Sequence, residues 1–391
     1  MKKQTTDVII IGGGIIGTSI AYYLSKAGLK VSLLEKNGVG CGTSSSCDGF
    51  MFLQTKKPGL SLEIALKSAE MYSTLSRELD YEVYYNQTGG LILIETKEQL
   101  EIMKKITKKQ KALGLEVEII DSKETFKKEP RVSEKLLGAA YSPMDGHVNP
   151  ISVTMGYAEA AKRLGATILQ EAQVLDLKIE DKSCATVMTK DSQISAPWVV
   201  NAAGAWAPDI GRMLGLDIPI IPRRGQILVT EPLPPMFNHV MLCARYIAIK
   251  HNPNLVKGSN DPGLALGVGF GVEQTDNGNL LISNSRDFAG YDTRTTNEVI
   301  KEIARYAQRF IPILKDLDII RTYAGLRPFT SDGLPIIGPV KAINNFIMSA
   351  GHEGDGIAQA PITGKMVADY ISKGRSDFPL EAFSLERFDT P

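Results

Sequence analysis

The chain has 391 residues, 43% of them hydrophobic and 23% charged, a globular composition long enough for a sizeable core. At ~100–200 residues per domain, this length predicts two or three domains or one large one. Lys+Arg and Asp+Glu both number 44, so the balanced charge excludes a basic nucleic-acid binder and gives no reason for a membrane-surface partner, and the many Ile, Leu, Val and Gly exclude intrinsic disorder.

Asp7-Val-Ile-Ile-Ile11 reads as a strand buried on both faces, as in a parallel sheet. Gly12-Gly13-Gly14 breaks it, Ile15–Lys26 reads as a helix ended by Gly28, and Lys30–Glu35 is the next strand, completing a βαβ unit. Lys2 and Lys3 before an apolar run loosely imitate a signal peptide, but the glycine-spaced motif accounts better for the same residues. Residues 61–80 and 97–113 look helical; the lysines of the second (Lys104, Lys105, Lys108, Lys109, Lys111) read as a solvated face. Tyr81–Tyr85 and Gly90–Ile94 read as strands, Val153–Leu164 as an amphipathic helix, and Ala166–Gln170 with Gln173–Ile179 as a strand pair. Residues 215–290 carry an antiparallel pattern of short runs (Gln226–Thr230, Tyr246–Lys250, Leu264–Phe270, Asn279–Ser283). Val299–Phe310 is a helix stopped at Pro312, and the chain closes on the strand Phe346–Ala350 and the helix Ile357–Lys373. The expected fold is therefore α/β plus α+β: a Rossmann-like dinucleotide-binding domain from residues 1–80, 150–215 and 330–391, with an inserted antiparallel-sheet substrate domain from 81–149 and 216–329.

Cys41, Cys47, Cys184 and Cys243 form no CxxC pair, so neither a disulfide framework nor a zinc ribbon is expected, and the scattered His147, His239, His251 and His352 imply no metal cluster. A reducing cytoplasm is the default expectation. No apolar run reaches the ~18 residues of a spanning helix.

Gly12-x-Gly14-x-x-Gly17 lies between a strand and a helix, and Glu35 ends the following strand, as a dinucleotide fingerprint requires. Gly12 makes the tight turn, Gly14 lets a pyrophosphate approach the backbone, and Gly17 lets the helix pack close to the sheet. Free N–H groups and the helix dipole would face the phosphates, and Glu35 would accept from an adenosine ribose. The fingerprint alone does not choose between NAD and FAD. The hydroxyl-rich Gly40–Gly49 loop, which can wrap a second phosphate and a ribityl chain, and the small residues of Val199–Ala207 favour FAD.

With these segments in hand, the chain resembles the D-amino-acid oxidase-like FAD oxidoreductases, the superfamily of glycine oxidase, sarcosine oxidase and dye-linked proline dehydrogenases. The resemblance rests on Val8–Gly17 with Glu35, Thr43–Gly49, Asp145–Pro150, Asn201–Trp206, Pro222–Gln226, Tyr323–Pro328, Asp332–Gly338 and Gly351–Ile357. Gly271–Thr275, Gly278–Ile282 and Gly351–Ile357 followed by Ala360–Gly364 look like one branch. That branch holds the catalytic flavoprotein subunits of proline and hydroxyproline dehydrogenases, opine oxidases and hydrogen cyanide synthase.

The resemblance implies oxidation of a C–N bond by hydride transfer to flavin N5, with electrons passed to partner subunits. The cofactor contacts it implies are Gly12, Gly14, Ile15, Ile16, Gly17, Glu35, Lys36, Thr43, Ser44, Ser45, Gly49, Val174, Ala203, Gly204, Trp206, Arg327, Gly351, His352, Glu353, Gly354, Asp355, Gly356 and Ile357. A substrate carboxylate needs a bidentate cation, and Arg327 of the Gly-Leu-Arg-Pro motif matches the arginine that serves in glycine oxidase-like enzymes. Tyr246 sits in what looks like the strand supplying a carboxylate-binding tyrosine; a tyrosine half-buried in a sheet is the plainer reading. Where glycine oxidase has a second arginine after its Gly-His pair, this chain has Glu353 and Asp355. That acidic pair would favour a substrate with a second cationic centre, or else shape the turn and cap the following helix. No cysteine lies beside Arg327 and no histidine lies in residues 36–60, so non-covalent FAD is expected. The remaining alternatives are a free-standing oxidase that makes peroxide and a non-catalytic FAD-binding scaffold. The expected place is the cytoplasm, with any membrane association through partners.

Overall fold

The β-branched run Val8–Ile11 is fully buried and lies inside a six-stranded sheet. In a computed structural model, which describes residues 2–180, 184–251 and 261–388, the order of that sheet is Ile336–Pro339, Phe346–Ala350, Trp198–Asn201, Val8–Ile11, Val31–Leu34 and Thr167–Leu169. Its neighbours pair in parallel except Ile336–Pro339 with Phe346–Ala350. Both faces are covered, which is why the run is continuously apolar. Val8 and Ile10 pack towards the helices Ile15–Lys26, Pro150–Arg163 and Gly356–Lys373. Ile9 and Ile11 pack towards a four-stranded sheet of Lys2–Thr5, Ser192–Ala196, Cys184–Met188 and Asp176–Glu180.

The second large sheet has eight strands, in the order Ile319–Phe329, Ile221–Pro232, Asn279–Ser283, Gly271–Gln274, Val240–Cys243, Gly90–Ile94, Gly138–Ser142 and Glu118–Asp121. It is mixed and not purely antiparallel: Val240–Cys243 runs parallel to Gly90–Ile94. Leu91 and Leu93 face the helix Asn297–Phe310, while Ile92 and Ile94 face the helices Lys97–Ala112 and Ala244–His251. The first of these helices buries Val299, Ile303, Tyr306, Ala307 and Phe310, one stripe at helical spacing. The second buries Met103, Ile106 and Gln110 and leaves its five central and C-terminal lysines in solvent, as its pattern predicted.

Four expectations are corrected. Tyr81–Tyr85 is not a strand; the chain there bends, with Tyr84 at φ +53°, before a single bridge from Asn86 to His147. Thr167–Leu169 and Asp176–Glu180 are both strands but belong to different sheets. Leu264–Phe270 begins in a short helix, Pro262–Ala265. Tyr246 lies on the helix Ala244–His251, not on a strand. Ala244, Ile247 and Ala248 are buried at i, i+3 and i+4, so the burial there has the helical period.

Candidate active site

The strand–helix turn is built as its glycines require. Gly12 sits at φ +111°, where a Cβ would stand 2.5 Å from the Ala202 carbonyl oxygen. A Cβ on Gly17 would stand 1.9 Å from the Gly12 carbonyl oxygen, so neither position accepts a side chain. Glu35 Oε2 accepts from the Gly13 amide at 2.7 Å and Oε1 from the Asn37 amide at 2.8 Å, which fixes the carboxylate at the mouth of the turn. Ser44 Oγ accepts from the Ile15 amide at 3.0 Å, tying the hydroxyl-rich loop to the helix start.

That loop is pinned from both sides. Thr43 Oγ1 donates to the Leu326 carbonyl at 2.6 Å, and Tyr323 Oη donates to the Cys47 carbonyl at 3.2 Å. A Cβ on Gly325 would meet the Ser46 carbonyl oxygen at 2.3 Å, so the loop lies flat against the strand Ile319–Phe329. The Gly49 amide donates to Glu273 Oε1 at 2.8 Å.

A cavity of about 420 Å³ runs through this junction. It extends from Glu35, Lys36 and Val174, past Gly12, Gly14, Ile15, Ile16, Thr43 and Ser44, to Asp48, Ile227, Arg327, His352 and Glu353. Ala203, Gly204 and Trp206 form another wall. The Lys36 ammonium lies 3.8 Å from the centre of the Trp206 ring, and burial lowers its pKa. Trp206 in turn stacks on Tyr291, their centroids 5.9 Å apart.

Arg327 reaches the cavity across Gly225, and its Nη1 donates to the Ser285 carbonyl at 2.9 Å. Its cross-strand neighbour Arg223 is paired with Glu353 and stacks on Phe329 at 4.4 Å. Gly351 (φ +85°) and Glu353 (φ +52°) turn the segment before the last helix, and the Glu353 amide donates to the Pro328 carbonyl at 3.0 Å. His352 is buried, its Nε2 3.2 Å from Thr363 Oγ1, and burial lowers its pKa to about 4. Asp355 stands at the N-cap position, but its side chain does not cap the helix. It pairs at 2.5 Å with the buried Lys56 ammonium. Gly354, Gly356 and Ile357 line the cavity.

The structure thus brings most of the sequence-derived residues to one cavity. Gly17, Gly49, Gly351 and Asp355 shape it from behind, and Ser45 faces a second, smaller cavity. Tyr246 is placed by its backbone alone, its side chain lying outside the described residues. Sequence reasoning missed Asp48, Lys56, Arg223 and Gly225. Their signal was present in the Cys47-Asp-Gly49 and Pro222-Arg-Arg-Gly225 runs, but their roles depend on cross-strand register.

These residues fit a dinucleotide. A Cβ on Gly14 would press to 3.2 Å from Ser44 Oγ, so the bare backbone faces the cavity, with the Glu35 carboxylate at one end and the Arg327 guanidinium at the other. Fold and cavity define a dinucleotide-binding oxidoreductase. The DAO family model, described as FAD dependent oxidoreductase, matches residues 7–370, and the chain belongs to that family. FAD is therefore its cofactor. The chain is 31% identical over 402 residues to glycine oxidase of Bacillus licheniformis, covering 99% of this chain and 98% of the relative. It is 27% identical to hydrogen cyanide synthase subunit HcnC of Pseudomonas aeruginosa (99% and 97% covered). It is 30% identical to rat mitochondrial dimethylglycine dehydrogenase, covering 99% of this chain but 45% of the relative, so the chain spans about half the length of that protein. Among solved structures, L-proline dehydrogenase from P. horikoshii superposes with a TM-score of 0.89 at 29% identity, with 99% of both chains covered. No helix among the described residues is long and apolar enough to cross a membrane.

Proposed function

We propose that this chain oxidises the C–N bond of an amino acid or secondary amine carrying a carboxylate, in the proline, hydroxyproline, opine and sarcosine class, and passes the electrons to a partner or quinone-type acceptor. The observation that carries this reading is Arg327, a guanidinium inside the cofactor cavity at the end remote from Glu35. When bound, FAD supplies the two-electron oxidant that accepts a hydride at N5. Glu35 would hold the adenosine ribose, Val174 the adenine through its backbone, and the Gly12–Gly17 turn with Ser44 the pyrophosphate. The start of the helix Gly356–Lys373, left uncapped by Asp355, would place its positive end against the reduced flavin. Arg327 would take the substrate carboxylate by two parallel hydrogen bonds and fix the carbon to be oxidised. Arg223 meets the charge of Glu353 and Lys56 that of Asp355, so these carboxylates act in this reading by shaping the cofactor pocket.

The division into a discontinuous FAD-binding unit and an inserted substrate unit belongs to the same proposal. It is supported by the sheets, since the six- and four-stranded ones draw on residues before 35, from 167 to 201 and after 335. FAD is held non-covalently: acid precipitation should release the yellow colour, and colour retained by the precipitate would refute this. The deciding experiment is anaerobic addition of amino acids, N-methyl amino acids and opines to the yellow protein. Bleaching followed by slow recolouring in air supports a dehydrogenase with a partner, a reading supported by HcnC being a subunit. Fast recolouring with peroxide would make it a free-standing oxidase, the reading favoured by the end-to-end match to glycine oxidase. No bleaching by any member would shift the assignment to a scaffold.

A further inference from the structure

A second cavity of about 150 Å³ lies behind the hydroxyl-rich loop, and the loop is the wall between the two: Ser44 and Cys47 line both. Two carboxyl groups, one from each cavity, are tied together through this wall. Asp48 lines the cofactor cavity with Arg327. Glu273, 3% exposed, lines the second cavity. A single peptide unit ties them, because the amide donating to Glu273 Oε1 belongs to Gly49, next to Asp48. Glu273 Oε2 is buried with no hydrogen-bond partner among the described residues. A buried carboxylate with a bare oxygen, in electrostatic contact with a second carboxylate, is costly, and one proton shared by the two removes most of the cost.

We propose that Asp48 and Glu273 are a one-proton carboxyl pair that takes the proton leaving the substrate's ammonium nitrogen and hands a proton out through the second cavity. The proposal rests on the amine-oxidising reading above. An amino acid arrives with its nitrogen lone pair tied up in an N–H bond, and its carbon cannot release a hydride until that pair is free. In the step proposed, the N–H bond breaks, its electron pair stays on nitrogen, and the proton bonds to the Asp48 carboxylate. Glu273 then gives its own proton to water in the second cavity, the proton on Asp48 replaces it on Glu273 so that the pair returns to its starting state, and no electron changes hands. Arg327 and Asp48 thereby offer opposite charges to the two ends of a zwitterion.

The surroundings suit these roles. Burial raises the pKa of Asp48 and Arg327 opposes it, with Ser283 and the Phe50 amide on the same side and Glu353 against them. Burial, then Asp48 and Asp276, push Glu273 up against the opposing Gly49 amide, and its bare, buried Oε2 is the oxygen on which a shared proton can sit. Cys47 and Tyr323 face the pair but are held protonated by burial. His147, kept below its ordinary pKa by burial, and Asp276 line the way out, and Tyr84, 45% exposed, stands at its edge.

Infrared difference spectra of the FAD-loaded protein, titrated from about pH 5 to about pH 9, test the pair without any substrate. Buried Asp145 contributes a protonated-carboxyl band up to about pH 7; a further band should persist above that range, vanish in Glu273→Gln and titrate at lower pH in Asp48→Asn. No such band above the Asp145 range in the wild type, or one unchanged in both variants, overturns the pair. Stopped-flow flavin reduction by sarcosine and L-proline tests the transfer. Asp48→Asn should slow reduction near neutral pH by roughly 10²-fold and recover as free amine rises with pH. Flavin absorbance reports whether each variant still folds and loads cofactor. A wild-type pH profile in Asp48→Asn overturns the transfer. A wild-type flavin that neither probe bleaches, when other amines do, refutes the sarcosine/proline substrate class; one that no amine bleaches refutes the functional reading, while the band still decides the pair.

Discussion

Arg327 owes its position to a glycine on the neighbouring strand. A Cβ at Gly225 would lie 2.1 Å from Arg327 Nη1, so the guanidinium can lie flat only because that Cβ is missing. Arg327→Ala should therefore raise KM and lower kcat/KM for a carboxylate-bearing substrate by roughly 10- to 100-fold. Gly225→Ala should move kinetics in the same direction with the arginine still present; steady-state assays of the two variants check this. Arg327 was legible in its Gly-Leu-Arg-Pro motif, whereas Gly225 was not, because the contact is set by pairing between strands about a hundred positions apart. Two other buried groups act on stability with opposite sign. Burial raises the pKa of Asp145 to about 7, so the native state keeps a proton the unfolded chain has lost, and stability falls as pH rises from ~4 towards that value. His352, lowered by burial to about 4, stays neutral where the unfolded chain binds a proton, so stability falls as pH drops from ~6.5. The two slopes oppose each other across one window. Asp145→Asn should unmask the histidine and make acid destabilisation steeper, read as melting temperature against pH.

The last helix shows how an element survives a residue that should break it. Pro361 lies inside Gly356–Lys373 and has no N–H to give the carbonyl four residues back, which is that of Ile357. Tyr72 Oη, fully buried on the helix Leu60–Leu79, donates to that carbonyl at 2.6 Å. Tyr72→Phe should cost about 1–3 kcal/mol, and much less in a Pro361→Ala background, where the backbone amide can serve instead. Denaturant melts of the four proteins in this cycle measure the coupling. The helix itself was plain in the sequence, but the tyrosine was not, lying 285 residues from its acceptor. The segment Tyr246–Lys250 failed in the opposite way. Its isoleucines favour a strand locally, yet Ala244, Ile247 and Ala248 are buried at helical spacing, the first two packing against the sheet, and packing prevails over propensity.

At the scale of the molecule, the cofactor cavity lies where the six-stranded and eight-stranded sheets approach, and its lining comes from both. FAD should consequently stabilise the whole chain. Stripping it should lower the melting temperature, and re-addition at about 100 times Kd should restore about 2.7 kcal/mol, measured by calorimetry with increasing FAD. The βαβ unit with its glycines was readable because all its parts fall within about thirty residues. The eight-stranded sheet was readable as β structure but not in its order, since Val240–Cys243 and Gly90–Ile94 pair in parallel from distant segments. The strand Phe346–Ala350 lies against Trp198–Asn201, which lies against Val8–Ile11. During translation the ribosome delivers the first of these strands last. The nascent chain must therefore carry an open sheet edge until Phe346–Ala350 has emerged, exposed to chaperones and to misassociation, and its flavin can be captured for good only once that strand is in place.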